Sequence, residues 1–551
     1  MFKKILYSFC LLALTVSCGE KETPEDDSGA SWGENIPEGN MEVSIKSDIK
    51  TVLRNPMSGW VIYVPLIEDV DRFWKEYDNF PSSKGDVNVS DYATVLYLRG
   101  SWTDFNPEEG VYIWQDGVDT PHARSLRALE EGARERDLKV AITLKVDSRD
   151  ANAQCTPDFV KAKMDKAYGA GAAGSLSSDG KTHVPGKGYF NFTLGSVGHE
   201  RHYWSPYPDD PVFQEEYAKF INALAAEYDD PERTMFISGL GMGKWGEYHT
   251  CVYSTGDESP RESVFEWVTD VYANAFTKVP VVTNYHKFVG CIISEGLASS
   301  EPERCALTEK LLASAISKGF CMRHDAFGMT SGNFGYAGWE KNFISNWKFK
   351  IPVIGEGGWI VTQGHYTSDD EGGYKTPRDL RQGEYDAMAG AYVNMMDLRF
   401  DESYTQGETW SWFNDAYDLV VRFLEEGCYR VHPDKVTVPS KVTNGKEYTI
   451  QHRWLNRGHA YCPTNIRQYK DRFKVAFALL NTGTGKVVGN NIFFDDNAHP
   501  HEWTEDSGKK QYELKVTPDG IVPGTYCWAT GIVDLYASDP ENGDYKIGIQ
   551  L

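Results

Sequence analysis

Eight short apolar runs, separated by helical patterns, constrain this chain more than any other feature. They are Gly59–Leu66, Ala93–Trp102, Leu138–Asp147, Met235–Gly241, Val279–His286, Gly319–Asp325, Ile351–Glu356 and Met396–Phe400. Runs rich in β-branched and aromatic residues, without polar alternation, read as strands covered on both faces, which is the situation of a parallel sheet. Between them lie amphipathic segments. Thr120 is placed to cap a helix that opens on Pro121 and puts Leu126, Leu129 and Ala133 on one face. Asp210-Pro211 opens a second helix, with Phe213, Tyr217, Phe220, Ile221 and Leu224 as its apolar stripe. Eight strands, each followed by a helix or loop, predict a (β/α)8 TIM barrel rather than an open sheet.

At 551 residues the chain exceeds one ordinary core. After residue 430 the helical period disappears. Lys446–Trp454, Phe473–Leu480, Gly485–Phe494, Gln511–Val516 and Gly524–Leu535 read as strands joined by turns such as Asn444-Gly and Asp519-Gly. The expected organisation is therefore a barrel over 41–430 and a C-terminal antiparallel β-sandwich over 431–551. The sandwich is expected to be a support rather than a sugar-binding module, because its aromatics form no exposed set.

The N-terminus, Met-Phe-Lys-Lys followed by an apolar stretch from Ile5 to Val16, is too short to span a bilayer and reads as a signal peptide over 1–17. Leu14-Thr-Val-Ser-Cys18 resembles a bacterial lipoprotein cleavage box, which implies lipidation of Cys18. Residues 18–40 have too little apolar content to pack and read as a tether. The tract Glu20–Ser28 also resembles the acidic export signal of Bacteroidetes surface lipoproteins; a plain solvated linker has the same composition. The expected location is the outer membrane, exposed at the cell surface or facing the periplasm, with membrane contact only through the lipid anchor. A formal charge of -24 excludes nucleic acid as a partner and is compatible with a neutral polymer. Cys155, Cys251, Cys291, Cys305, Cys321, Cys428, Cys462 and Cys527 show neither a Cys-x-x-Cys pattern nor zinc-finger spacing.

Runs four and seven lead to a glutamate each. Glu247 follows Gly241-Met-Gly-Lys-Trp-Gly246, and Glu356 precedes Gly357-Gly358-Trp359. Barrels keep their chemistry at the C-terminal ends of the strands. Two carboxyl groups facing one cleft meet the needs of glycosidic bond cleavage, in which one protonates the departing oxygen and the other attacks the sugar or activates water. Other run ends offer substrate-binding groups: Arg99 to hold a carboxylate ionised, Lys145 and Asp147, Asn284, Tyr285 and His286, and Arg323 and Asp325. Trp102, Trp245, Trp359, Trp410 and Trp412 are either stacking platforms for sugar rings or packing residues. The polar clusters are either hydroxyl-binding groups or structural ion pairs at the barrel rim.

The placement after strands four and seven resembles the retaining clan A glycoside hydrolases. Tyr97-Leu-Arg99-Gly-Ser-Trp102, continuing through Pro107-Glu-Glu-Gly110-Val-Tyr112-Ile-Trp114, is similar to the second-strand region of their β-galactosidase-like members. Together with Asn55-Pro-Met-Ser-Gly-Trp60 and Lys244-Trp-Gly-Glu-Tyr-His249, it also resembles a family of bacterial lipoproteins assigned to this superfamily. The resemblance spans about residues 50 to 430. It implies that Glu247 is acid/base and Glu356 is nucleophile. His249 is a further substrate-site candidate, and Tyr285, at the end of run five, is the expected hydrogen-bond partner of the nucleophile. One departure stands out: the superfamily has Asn before the acid/base Glu, whereas this chain has Gly246.

The expected activity is retaining hydrolysis of plant, algal or host glycans, with no metal and no cofactor. Retention implies carboxyl groups about 5–5.5 Å apart, and inversion about 6.5–9.5 Å. The alternative is a non-catalytic glycan-binding lipoprotein on a degenerate barrel. Gly241-x-Gly243-x-x-Gly246 matches a dinucleotide fingerprint, but no convincing helix follows. Asp495-Asp-Asn-Ala-His-Pro-His501 reads either as a cation loop or as a solvated turn. The long connection between runs three and four, with its tract Tyr168–Ser175 and then Gly186-Lys-Gly-Tyr-Phe, is either a lid or wall of the cleft or a disordered loop.

Overall fold

A computed structural model describes residues 36–46, 51–148, 153–176, 183–184, 186–194, 200–292, 302–325, 327, 338–357, 374–400, 407–536 and 546–547. The signal peptide, Cys18, most of the tether and Trp359 lie outside the described residues. The chain divides into two compact units. One is Gly59–Phe423, and the other joins Met1–Ser58 to Leu424–Leu551.

The first unit is a closed barrel of eight parallel strands. These are β1 Gly59–Pro65, β2 Ala93–Ser101, β3 Lys139–Lys145, β4 Thr234–Ser238, β5 Val281–Asn284, β6 Phe320–His324, β7 Val353–Gly355 and β8 Met395–Arg399. They pair in sequence order, and β8 returns to β1 through Met395–Gly59 to Arg399–Tyr63. Each strand coincides with one of the eight apolar runs, six lying wholly inside and β4 and β8 starting one residue earlier, because burial on both faces is what made those runs continuous. The capped helices form as expected. Thr120 Oγ1 accepts from the Ala123 N–H (3.1 Å) ahead of Pro121–Glu135. Asp210 Oδ1 accepts from Val212 and Phe213 ahead of Pro211–Tyr228. Such caps satisfy N–H groups that the helix itself leaves unpaired, worth about 1 kcal/mol each. Among the described residues no helix is long and apolar enough to cross a membrane.

Part of the β3–β4 connection is among the described residues. It contains the helix Asp158–Tyr168 and a hairpin of Gly188–Leu194 with Glu200–Pro206. The hairpin is tied to the barrel where β3 ends. Tyr189 Oη donates to Asp147 Oδ2 (2.6 Å), Ser205 Oγ to Asp147 Oδ1 (3.4 Å), and Ser148 Oγ to the Trp204 carbonyl (3.0 Å).

In the second unit two four-stranded antiparallel sheets face each other. One orders the strand Asn40–Ser44, β9 Val431–Pro439, β10 Tyr448–Asn456 and β13 Lys510–Val516; the other orders β12 Val487–Asp495, β11 Phe473–Asn481, β14 Tyr526–Asp534 and Lys546–Ile547. The sheets are joined by His452 Nε2 to Asp495 Oδ2 (2.8 Å) and by the Trp528 indole to the Pro439 carbonyl (3.2 Å). Two features differ from the expected organisation. Residues 41–58 cluster with the sandwich rather than the barrel, because Asn40–Ser44 pairs with β9. Strand β9 itself has no clean alternation, since Pro433 and a bulge between Pro433 and Lys435 interrupt it. Asp495 caps Asn497 N–H as well as holding His452, so its loop is a structural turn. The eight cysteines among the described residues form no disulfide with one another, and six of them are buried.

Candidate active site

Glu356 follows β7 directly, and its carboxylate is gripped from both sides. Arg323, from β6, donates through Nε and Nη2 to Oε2. Arg399, the last residue of β8, donates through Nη2 to Oε1 (2.6 Å). Arg399 also reaches Asp397 Oδ2 at 3.1 Å and Asp325 Oδ1 at 3.5 Å. Glu356 is 1% exposed and Glu247 3%. Burial opposes the charge on both guanidiniums, and the surrounding carboxylates more than offset it. Asp397 responds the other way. Burial, opposed by the Arg399 charge and reinforced by that of Glu356, raises its pKa to about 6.

Glu247 reaches the same guanidinium. Its Oε1 lies 3.5 Å from Arg323 Nη2, the nitrogen that also touches Glu356. With a hydrogen bond of about 3 Å as the other leg, the two carboxylate oxygens are at most about 6.5 Å apart. The glutamates therefore converge on one point. The firmer partner of Glu247 is His249, whose Nε2 is 3.2 Å from Oε2 while Nδ1 meets Thr250 Oγ1 at 2.9 Å. An ionised carboxylate only accepts, so Nε2 carries the proton. Burial lowers the His249 pKa to about 4, which keeps the ring neutral. Burial also works to raise the Glu247 pKa, but the His249 hydrogen bond and the Arg323 charge win, holding it below the usual carboxylate range.

The segment that presents Glu247 is strained. Strand β4 stops at Ser238, and the chain reaches Glu247 through Gly239, Gly241 and Gly243, all at positive φ, and a single 3₁₀ turn over Lys244–Gly246. Trp245, Tyr248 and Thr250 also hold positive φ values, 58°, 59° and 52°. Three non-glycine residues in that region within one loop mark a conformation imposed by its surroundings. The Arg99 Nη2 bond to the Trp245 carbonyl (2.9 Å) is one of the ties. Gly246 sits at φ +82°, where an added Cβ would stand 2.2 Å from the Leu144 carbonyl oxygen. The departure from Asn is thus built into the path of this backbone, which admits no side chain there. The glycines serve this loop and no phosphate-binding helix, so the dinucleotide reading is excluded.

The other expected site residues divide. Arg99 holds no carboxylate; it donates to Tyr63 Oη (2.6 Å) and to Trp245, and Arg323 and Arg399 take the role expected of it. Trp102 is fully buried against Phe220 and Tyr217, and Trp412 against Trp60, so both are core residues and not sugar platforms. Trp410, two positions from Trp412 on the helix Glu408–Asp415, is half-buried. Trp245 is half-buried too, edge-on to His249 and beside the Lys244 and Lys287 ammonium groups. Asp147 is spent on the hairpin. Lys145 ends β3, its pKa lowered by burial and by the Arg99 charge. Asn284 Oδ1 accepts from the His286 N–H (2.8 Å), while its buried Nδ2 has no partner among the described residues. Tyr285 packs between His324 and Phe343 and does not bond Glu356, both of whose oxygens are taken by arginines. Arg399, Asp397 and Tyr63 were missed. The signal existed in run eight, where alternation places Asp397 and Arg399 on one face of the strand.

No family model matches this chain, and no curated protein matches its sequence. Among the solved structures that align with it are glycoside hydrolases. An endo-β-1,4-mannanase from Thermotoga petrophila is 13% identical over 88% of this chain and 98% of its own, with a TM-score of 0.37. A GH30 endoxylanase from Clostridium papyrosolvens is 9% identical over 86% and 99%, with a TM-score of 0.36. Endo-glycoceramidase II from a Rhodococcus species is 11% identical over 85% and 100%, also at 0.36. At such identities and scores, the question of activity rests with the residues of this chain.

Proposed function

We propose that this protein is a retaining O-glycoside hydrolase acting on neutral glycans, with Glu356 as nucleophile and Glu247 as acid/base. The observation that carries this reading is the convergence of two buried glutamates on one guanidinium at the C-terminal end of the barrel. Arg323 and Arg399 bind both oxygens of Glu356 through charge-assisted hydrogen bonds, which fix the carboxylate in place for attack. Arg323 holds Glu247 only at 3.5 Å, beyond hydrogen-bond length. A sugar entering between the glutamates can displace that contact, and loss of the cation raises the Glu247 pKa towards the protonated form needed for leaving-group departure. After the glycosyl-enzyme forms, the same carboxylate accepts the proton of the attacking water, with His249 fixing its orientation. The leader and Cys18 make the protein an outer-membrane lipoprotein in this reading, and labelling with a fatty-acid analogue, lost in Cys18→Ala, tests that assignment.

A second reading, a glycan-binding barrel without turnover, is favoured by the ionised state of Glu247. A panel of polysaccharides and aryl glycosides separates the two. The proposal expects turnover by the wild type, and in Glu356→Gln its loss with ligand affinity retained. Equal activity in that variant would remove Glu356 as nucleophile, and glycan binding without turnover by the wild type would leave the second reading.

A further inference from the structure

Beside the two glutamates lies a cluster that the proposed hydrolysis does not use. His286 stands two residues beyond β5, His324 ends β6, and Glu340 lies on the helix Gly338–Asn346. They are 4%, 0% and 2% exposed. Glu340 Oε1 is 3.6 Å from His286 Nδ1 and 3.5 Å from His324 Nε2, and the three ligand atoms lie within 4.8 Å of one another. An N–H···O bond draws its atoms to about 2.7–3.2 Å. Here both separations exceed that, and the buried Nδ1 of His286 makes no hydrogen bond among the described residues.

The distances suit ligands that share an ion. A zinc ion bonded at about 2.0–2.1 Å to imidazole nitrogen and carboxylate oxygen, in tetrahedral geometry, sets donor–donor separations of about 3.3–3.4 Å. The two Glu340–imidazole spacings, 3.6 Å and 3.5 Å, are slightly wider than this, and the two imidazole nitrogens lie within 4.8 Å of each other. The carboxylate is also oriented from outside the cluster, since Glu340 Oε1 accepts the Lys287 N–H at 2.9 Å. Around the histidines is an apolar aromatic shell, with Tyr285 and Phe327 rings 4.7 Å and 4.8 Å from that of His324. Such a shell limits solvent access and favours metal–ligand bonds over solvation.

We propose that His286, His324 and Glu340 form a binding site for a divalent first-row transition ion, zinc in the first instance, with a fourth position open to water or another ligand. Two imidazoles and one carboxylate are a zinc-type donor set, unlike the all-oxygen sets of calcium and magnesium. The ion would tie the ends of β5 and β6 to the helix that follows β6. The His286 ring is 6.2 Å from that of His249, the residue bonded to Glu247, so the metal would brace the wall behind that glutamate. The proposal does not depend on the glycosidase reading.

The test uses full-length protein without a histidine tag, stripped by a chelator and titrated with Zn²⁺ against a chromophoric competitor. Stripped wild type is also titrated with Co²⁺ and followed by visible absorption. One equivalent of Zn²⁺ is expected, with ligand-field bands on Co²⁺ binding. Affinity is expected to fall about 100-fold or more in each of His286→Ala and Glu340→Gln, and to be kept in His249→Ala. Near-UV circular dichroism of the stripped variants checks their fold, and His286→Gln replaces a variant that fails it. Absence of Zn²⁺ binding or of Co²⁺ bands in the wild type would overturn the proposal. So would affinity unchanged in two folded ligand variants.

Discussion

Glu356→Gln tests the electrostatics of the site before any substrate is known. The wild-type carboxylate accepts from Arg323 Nε and Nη2 on one oxygen and from Arg399 Nη2 on the other. Glutamine keeps one acceptor but turns an NH₂ towards a guanidinium, donor against donor. Arg399 retains Asp397 and Asp325 as ion-pair partners, whereas Arg323 keeps Glu247 at 3.5 Å and the more distant charge of Asp325. The unpaired charge therefore falls chiefly on Arg323. Breaking one side of a buried pair costs about 3–5 kcal/mol. Asp397, with its pKa raised to about 6, can take up part of the freed Arg399 charge by ionising more fully, so the lower end, about 3 kcal/mol, is expected. Urea unfolding followed by tryptophan fluorescence reads this as a lower midpoint of the barrel transition. A double-mutant cycle with Arg323→Met adds a second measure: the double variant is expected to be less destabilised than the two single changes combined. A change within about 0.5 kcal/mol, the range of an ordinary surface substitution, or a gain in stability, would refute the reasoning.

His249 is neutral when buried, with its pKa lowered to about 4, against an unfolded value of about 6.5. Between those values the unfolded chain binds the extra proton, so stability falls as pH drops from about 6.5 towards 4, by up to about 3 kcal/mol from this group; midpoints measured across that range should lose this part of their slope in His249→Phe. Gly246→Asn, which writes the superfamily residue into this chain, is expected to destabilise the barrel by about 3 kcal/mol or more, and a gain of activity on thermal-shift-neutral protein would contradict the backbone argument. Trp102→Ala should cost about 3–5 kcal/mol in the same urea assay. Trp410→Ala should leave the midpoint within about 1 kcal/mol while weakening retention on whichever glycan the wild type binds in the polysaccharide panel.

The barrel was legible because its signal is local. Eight continuous apolar runs have no alternative but burial on both faces, and each coincides with a strand to within a residue at its start. The sandwich strand β9 was not legible, because Pro433 and the bulge after it break the alternation on which such a reading depends. In the site, the two glutamates were found by position along the chain, which a barrel converts into position around a ring. Which guanidinium holds which carboxylate is a matter of side-chain reach across strands, and Arg99 was chosen where Arg323 and Arg399 do the holding. Trp102 and Trp412 show the same limit. A tryptophan at a strand end or in a following helix reads identically whether its indole faces the core or the cleft, and here a two-residue step on one helix separates buried Trp412 from half-buried Trp410. The metal-type cluster left no motif, since His286, His324 and Glu340 come from three separate elements.

The central claim, that Glu356 attacks the sugar with Glu247 opposite it, is tested most directly by trapping. Wild-type protein is incubated with a panel of 2-deoxy-2-fluoro glycosides carrying activated leaving groups, and its intact mass is followed before digestion. The account predicts one glycosyl adduct, mapping to the peptide that contains Glu356 and absent from Glu356→Gln. An adduct on a different carboxylate, or hydrolysis of the parent glycosides with inverted product and no adduct, would contradict it.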